Sequence, residues 1–240
     1  VEGFEHQSTM ALRHAMPYYK THMEAMGFVK EVDWVEFKIF MPEKMPEKVE
    51  RVAKLVEERY KLHMRKVSKR EVRKLGIGYK IFDLVNESYS KLYNFTILPK
   101  NVVDSYIGFY LGILNLDFLT LVEDENNNIV GFGLCMPSIT RAIQKCKGRM
   151  FPFGWFYILR SMYFKFEENV ELLLIAVTPE YRKRGVNALI FADIIKRASA
   201  AGFKYAETNA ELESNLDMQS QWGDFEKEQT KRRRIYKKSL

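Results

Sequence analysis

The order of segments in this sequence predicts a mixed α/β fold, a sheet of about six or seven strands flanked by helices. Three stretches carry the prediction. Residues 118–123 and 129–136 are apolar runs joined by Asp124-Glu125-Asn126-Asn127-Asn128, a polar turn of the sort that closes a β-hairpin. Residues 170–177 form a near-continuous apolar run holding one carboxylate, Glu171, which suits a strand covered on both faces. Pro179 ends that run, and Arg182-Lys183-Arg184-Gly185 leads into 186–197, where apolar residues recur at helical spacing. A strand, a short basic loop with glycine and a helix together offer unpaired N–H groups and the positive end of a helix dipole to an anion.

The other elements follow along the chain. Pro17 opens a short helix that Gly27 closes, and 32–39 alternates apolar and polar residues as a half-buried strand does. Met41-Pro42-Glu43-Lys44-Met45-Pro46 reads as a linker and sets the expected boundary, with 1–45 on one side and 46–240 on the other. Residues 47–62 put Val49, Val52, Leu55, Val56 and Tyr60 on one side of an amphipathic helix. A short strand near 64–67 and helices over 79–93 and 101–114, the latter after Pro99, precede the hairpin. Residues 137–169 form an insertion in which 138–147 is helical in character and 151–164 is dense in aromatics. After the central helix, which Gly202 ends, come a strand over 203–209, a helix over 216–228 and a last strand over 234–238.

Composition narrows the function classes. Lys and Arg number 38 against 31 Asp and Glu, a formal charge of +7, and much of the excess sits in 182–184 and in the tail Lys231-Arg232-Arg233-Arg234 with Lys237 and Lys238. Local clusters of this kind are weaker evidence for a nucleic-acid partner than a whole basic face. Cys135 and Cys146 imply no disulfide framework and have no metal-ligand spacing; His14 and His22 stand eight apart and read as parts of different elements, and His6 and His63 lack ligand-spaced companions, so no metal is expected. No uncharged apolar run reaches the roughly 18 residues of a membrane span, and a soluble, cytoplasmic protein is the expectation. Gly76-Ile77-Gly78 has neither a leading strand nor a third glycine and reads as a turn, not a dinucleotide fingerprint.

Within this order of elements, Val177-x-Pro179-Glu180-Tyr181-Arg182-x-x-Gly185 resembles the GCN5-related N-acetyltransferase (GNAT) superfamily. The resemblance covers 62–240 and is most specific over 175–191. It implies the acyl-CoA N-acyltransferase fold, a mixed sheet in which the strand before the loop splays from its neighbour. The whole chain resembles a bacterial group with two such domains in tandem. That implies a GNAT-like domain over 46–240 with the aromatic insertion at 137–169, and 1–45 as the C-terminal remnant of a preceding unit plus linker. Val1 in place of Met fits a missing upstream segment, which a second copy, in a homodimer, is one way to replace.

The cosubstrate the resemblance implies is acetyl-CoA or another acyl-CoA, without a metal. Arg182 and Gly185 match the loop pattern Gln/Arg-x-x-Gly-x-Gly/Ala, whose amides wrap the diphosphate, and Asn187 stands at the last small position. The diphosphate is therefore expected along Arg182, Lys183, Arg184, Gly185, Val186, Asn187 and Ala188. The pantetheine arm is expected along Leu173, Ile175, Ala176 and Val177, with Asn215 and Trp222 opposite.

The implied reaction is attack by a neutral amine on a thioester, which needs a base, dipoles for the developing oxyanion and, in some cases, an acid for the thiolate. Glu171, eleven residues before Arg182, stands where some branches place the base; the plainer reading is a solvated carboxylate at a strand entry. Its even spacing from Leu173, Ile175 and Val177 puts all four on one face of a regular strand. The family's acid is a tyrosine seven residues after an asparagine; Asn215 fits, but Trp222 holds the tyrosine's place and indole is a donor only. Tyr205, Tyr236 or water would then serve, or no acid is needed, or the domain binds an acyl-CoA without turning it over. The expected activity is acyl transfer, most simply acetyl, to a primary amine of unspecified structure. The alternatives are a non-catalytic acyl-CoA-binding or assembly module and a nucleic-acid-binding protein using the basic tail. The aromatic stretch 151–164 fits an acceptor or acyl pocket, core packing or a subunit interface.

Overall fold

The computed structural model describes residues 1–239, with the side chains of 110–113 outside that description. Its sheet has eight strands: β1 (Val29–Phe40), β2 (His63–Arg65), β3 (Leu119–Glu123), β4 (Ile129–Pro137), β5 (Asn169–Val177), β6 (Tyr205–Thr208), β7 (Glu211–Leu212) and β8 (Lys227–Lys237). Strands β2 to β6 lie side by side in chain order, then β1, which carries β6 and β7 along one edge and β8 along the other. Among the described pairings β5 with β6 is parallel and the rest antiparallel.

Two helical layers cover the sheet. On one face lie α2 (Glu47–Tyr60) and α8 (Val186–Ala200), which bury Val49, Ala53, Val56, Leu189, Ile190 and Ile194 against β1 and β3 to β6. On the other lie α3 (Lys69–Lys74), α4 (Ile77–Tyr89) and α5 (Lys100–Ile113), with Ile77, Ile81, Leu84 and Val85 packed on Leu121, Phe132 and Ala176. Met136, Ile139 and Met162 join α6 (Thr140–Lys145) and α7 (Gly154–Tyr163) to the end of that face. The remaining helices are α1 (Tyr18–Ala25) and α9 (Leu216–Gln219). The α8 helix approaches the sheet closely because β4 offers glycines: a Cβ on Gly133 would stand 2.5 Å from Ile190 Cγ2 and 2.8 Å from Ile194 Cδ1.

Several expectations change. The boundary at 41–46 does not separate two packing units, because β1 is an interior strand of the sheet whose Val35, Phe37 and Ile39 belong to the main core. Its buried acids Asp33 and Glu36 are met from β8: Arg234 Nε lies 2.8 Å from Asp33, Arg233 pairs with Glu36, and Arg232 reaches Asp33 and Glu213. The basic tail is therefore largely neutralised within the sheet, and the nucleic-acid reading loses most of its cations. The helix read over 216–228 stops at Gln219, a single 3-10 turn carries the chain to Trp222, and β8 starts at Lys227, seven residues before the expected strand. Leu55 of α2 points outward, 57% exposed. The unforeseen α3 starts at a capping box in which Ser68 accepts from Glu71 N–H while the Glu71 side chain accepts from Ser68 N–H.

Candidate functional site

Strands β5 and β6 stay paired only from Asn169 opposite Tyr205 to Leu172 opposite Thr208. Two local features part them. A bulge interrupts β5 at Leu173, since Leu134 faces Leu174 while Cys135 faces Leu172. The chain after β6 turns into β7, which pairs with Trp34 and Val35 and so follows β1 away from β5. The opening is a continuous cleft, about 580 Å³ beside the α8 N-terminus and about 480 Å³ deeper between 172–175 and the β6–β7 turn. Tyr89, Ile175, Phe191 and Asn215 line both parts.

Leu173, Ile175, Ala176 and Val177 edge this cleft, and Arg182, Lys183, Gly185, Val186, Asn187 and Ala188 close its outer end. Arg184 lies outside it, its guanidinium 5.4 Å from the ring centres of both Tyr60 and Tyr181. Gly185 has φ +83°, and a Cβ there would meet Val56 Cγ2 at 2.9 Å, so both backbone angle and packing call for glycine. The N–H groups of Val186 and Asn187 begin α8 and have no intrahelical acceptor. Arg182 Nε donates to Val177 O at 3.4 Å, which ties the loop to the strand end.

Across the cleft, Asn215 caps α9 by accepting from Met218 N–H at 3.3 Å. Trp222 is buried against Phe191, ring centres 4.7 Å apart, and donates Nε1–H to Glu211 Oε1 at 3.0 Å. Glu211 lines the deep part of the cleft; its Oε2 is buried without a partner, and burial pushes its carboxyl up to about 7. Tyr89 stands where the strand edge is open: its hydroxyl donates to Ile175 O at 2.9 Å and accepts from Ile175 N–H at 3.3 Å. Asn209 Nδ2 donates to Leu173 O at 3.0 Å.

Glu171 is placed differently from its expected position. It is fully buried, accepts from Met10 N–H at 3.2 Å and from Thr140 Oγ1 at 3.4 Å, and is not among the residues that line the cleft. Burial raises its carboxyl to about 7, against the pull of the Ser138, Met10 and Thr140 hydrogen bonds. The bulge breaks the alternation that put Glu171 and Ile175 on one face: Leu172, Ile175 and Val177 pack with α8, whereas Leu173, Leu174 and Ala176 pack on the side of α3 to α7. Tyr205 and Tyr236 are also away from the cleft, Tyr205 under Lys38 at 4.2 Å and Tyr236 with its hydroxyl 3.2 Å from Glu24. The aromatic insertion lines none of these cavities; Phe151, Phe153, Trp155, Phe156 and Phe164 are exposed. Tyr89 and Glu211 carried no signal in the sequence, since only the splay and the short β7 bring them to the strand edge. Among the described residues no group of His, Cys, Asp or Glu could hold a metal.

A splayed parallel pair whose open edge runs to a basic helix N-terminus can be compared with known folds. The chain superposes on a GCN5-related N-acetyltransferase from Sphaerobacter thermophilus with a TM-score of 0.56, 11% identity, and coverage of 94% of this chain and 57% of that one. It superposes on the GCN5-related glucosamine N-acetyltransferase region of a fungal multi-domain β-N-acetylglucosaminidase with a TM-score of 0.57 and 11% identity, over 91% of this chain and 22% of that one. The fold is that of the GCN5-related N-acetyltransferases. In sequence, this GNAT-fold chain is 24% identical over 252 aligned positions to Protein YghO of Escherichia coli strain K12, and it spans 62% of that relative's length. No known family profile matches it. No helix among the described residues is long and apolar enough to cross a membrane.

Proposed function

We propose that the protein is an N-acyltransferase that moves an acyl group from a CoA thioester directly to an amine. The observation that carries this reading is the continuity of the open β5 edge with the 182–188 loop, which gives a strand-like ligand arm hydrogen-bonding groups and its diphosphate an anion site in one groove. The fit is local and chemical. Val186 and Asn187 supply N–H donors, Arg182 and Lys183 supply charge, and Gly185 leaves the backbone accessible. Ile175 N–H, held by the Tyr89 hydroxyl, becomes a donor for a developing oxyanion when that hydroxyl turns aside.

Two carboxylates fit the base, because burial leaves each largely able to take a proton near neutral pH. Glu211 is among the residues that line the cleft, and its buried Oε2 has no hydrogen-bond partner. Glu171, the one the resemblance implies, is held away from it by the Met10 N–H and Thr140 hydroxyl. Trp222 orients Glu211 through its indole N–H and fills the place where the family pattern puts the acidic tyrosine. Tyr89 presents a phenolic hydroxyl at the open strand edge to protonate a leaving thiolate. The same tryptophan favours a second reading, an acyl-CoA-binding module without turnover. One assay separates the two: acetyl-CoA should raise the melting temperature, and a panel of amines should release free thiol. A thermal shift without thiol release supports the binding module, and no thermal shift overturns both.

A further inference from the structure

Behind Tyr89 the cleft opens into a third, partly open cavity of about 310 Å³ between α3, α4, α5 and the adjoining strands β3 to β5. Its described walls are aliphatic and aromatic, among them Ile81, Val85, Leu98, Ile107, Leu119 and Leu174, with Tyr89 and Asn209 as the polar groups at the end shared with the cleft. A concave apolar surface of this size, left to water, gains by taking up apolar matter. Such a space joined to a reaction cleft is a binding pocket for apolar matter. Resting on the acyltransferase reading, we propose that this cavity takes an aliphatic hydrocarbon chain carried by one of the two substrates, so that the natural reaction joins or acts on a lipid-like chain rather than acetyl and a small polar amine.

The chain belongs to the acyl donor or to the amine, and two titrations distinguish them. In the first, affinity for CoA, acetyl-CoA, octanoyl-CoA and palmitoyl-CoA is measured by calorimetry. In the second, KM is measured for butylamine, octylamine and dodecylamine with acetyl-CoA as donor. The series that fills the cavity should tighten about fourfold per buried methylene until the space is full. Val85→Phe, which adds bulk to the cavity wall away from the 182–188 loop, should flatten that series while leaving the affinity for CoA itself unchanged. Equal affinity for CoA and all its thioesters, together with amine KM values independent of length, would overturn the proposal. CoA binding in that same experiment would leave the acyltransferase reading intact, and its loss would remove both.

A separate observation concerns the insertion. Residues 138–166 hold Arg141, Lys145, Lys147, Arg149, Arg160 and Lys165 and no acidic residue. Apart from Arg141, which stands 3.9 Å from Glu168, these cations have no ion-pair partner among the described residues. Between them Phe151, Phe153 and Phe164 are 78%, 67% and 84% exposed, with Trp155 and Phe156 beside them. Exposed aromatics interleaved along the chain with unpaired cations match the charge and polarity of an anionic lipid surface. We infer that this face docks on an anionic bilayer, the aromatics entering the headgroup layer. Co-sedimentation with phosphatidylglycerol-containing vesicles, but not with phosphatidylcholine vesicles, is the expected result, weakened by raised salt and abolished in the Phe151→Ser, Phe153→Ser, Phe164→Ser triple variant. No sedimentation with either vesicle, unaltered binding by a folded triple variant, or a lipid-free dimer that this variant dissociates would overturn it.

Discussion

At the scale of the residue, the deciding side chains are Glu211, Glu171 and Tyr89. Both carboxyls are held near 7 by burial, so their titration does not distinguish them, but their surroundings do. Glu211 has a buried oxygen with no partner in the cleft wall, whereas Glu171 has its oxygens on Met10 N–H and Thr140. Glu211→Gln is therefore expected to lower kcat by about 10²- to 10⁴-fold and to remove the ascending limb of the pH–rate profile. Glu171→Gln should leave that limb in place; the reverse outcome in steady-state profiles of the two variants would return the role to Glu171. Tyr89→Phe removes the hydroxyl that bridges Ile175 N–H and C=O. If that hydroxyl delivers a proton to the leaving thiolate, the variant should lose about 10²-fold or more in kcat, and donors with more acidic thiol leaving groups should recover most of it. If it only plugs the strand edge, the variant should bind CoA more tightly with kcat preserved.

At the scale of the element, the close approach of α8 to β4 positions the anion loop. Gly133 leaves room for Ile190 and Ile194, and the branched Ile190 cannot rotate away from an added methyl at 2.5 Å. Gly133→Ala should destabilise the protein by about 1–3 kcal/mol and weaken CoA binding, because displacing α8 moves the loop that starts it. Urea unfolding and calorimetry on one preparation check both effects. The same elements show what a sequence can and cannot tell. Strand β5, the loop and α8 were readable because apolar period, proline and glycine all agree there. The hairpin around Asn126 was readable for the same reason. Local pattern says nothing about pairing partners, however. The alternation in 32–39 marked a strand, but not one lying between β6 and β8, since that depends on Asp33 and Glu36 meeting arginines about 200 residues away. The bulge at Leu173 was equally hidden, because a one-residue slip in register leaves no mark in an all-leucine run and yet moves Glu171 off the face of Ile175. Trp222 departs visibly from the family pattern in sequence, but its partner Glu211 depends on the two-residue strand β7.

At the scale of the whole molecule, two opposed sets of carboxylates fix how stability depends on pH. Asp33 is drawn well below the usual range, above all by Arg234, and Glu71 is lowered to about 2 by the Ser68 N–H and hydroxyl and by Arg65. Such groups stabilise the fold above the unfolded-state value and lose that contribution as pH falls towards their folded values. Glu171 and Glu211 act in the opposite sense. Their folded values near 7 exceed the 4.5 of a free glutamate, so between those limits the unfolded chain has released protons that the folded protein retains. Their contribution is complete below pH 4.5 and disappears as pH rises through 7. For two such groups the loss amounts to at most about 3 kcal/mol each, reduced by whatever relaxation admits water on ionisation. The folded protein should therefore be most stable on the acidic side of neutrality, with a higher Tm at pH 5 than at pH 8. The Glu171→Gln, Glu211→Gln double variant should gain stability at pH 8 relative to wild type and lose most of the slope between pH 5 and 8, while the decline below pH 4, which belongs to Asp33 and Glu71, should remain. Thermal unfolding across that range in both proteins checks the assignment: an unchanged slope in the double variant would place the titrating groups elsewhere, and a slope halved in each single variant would show that the two carboxyls contribute independently.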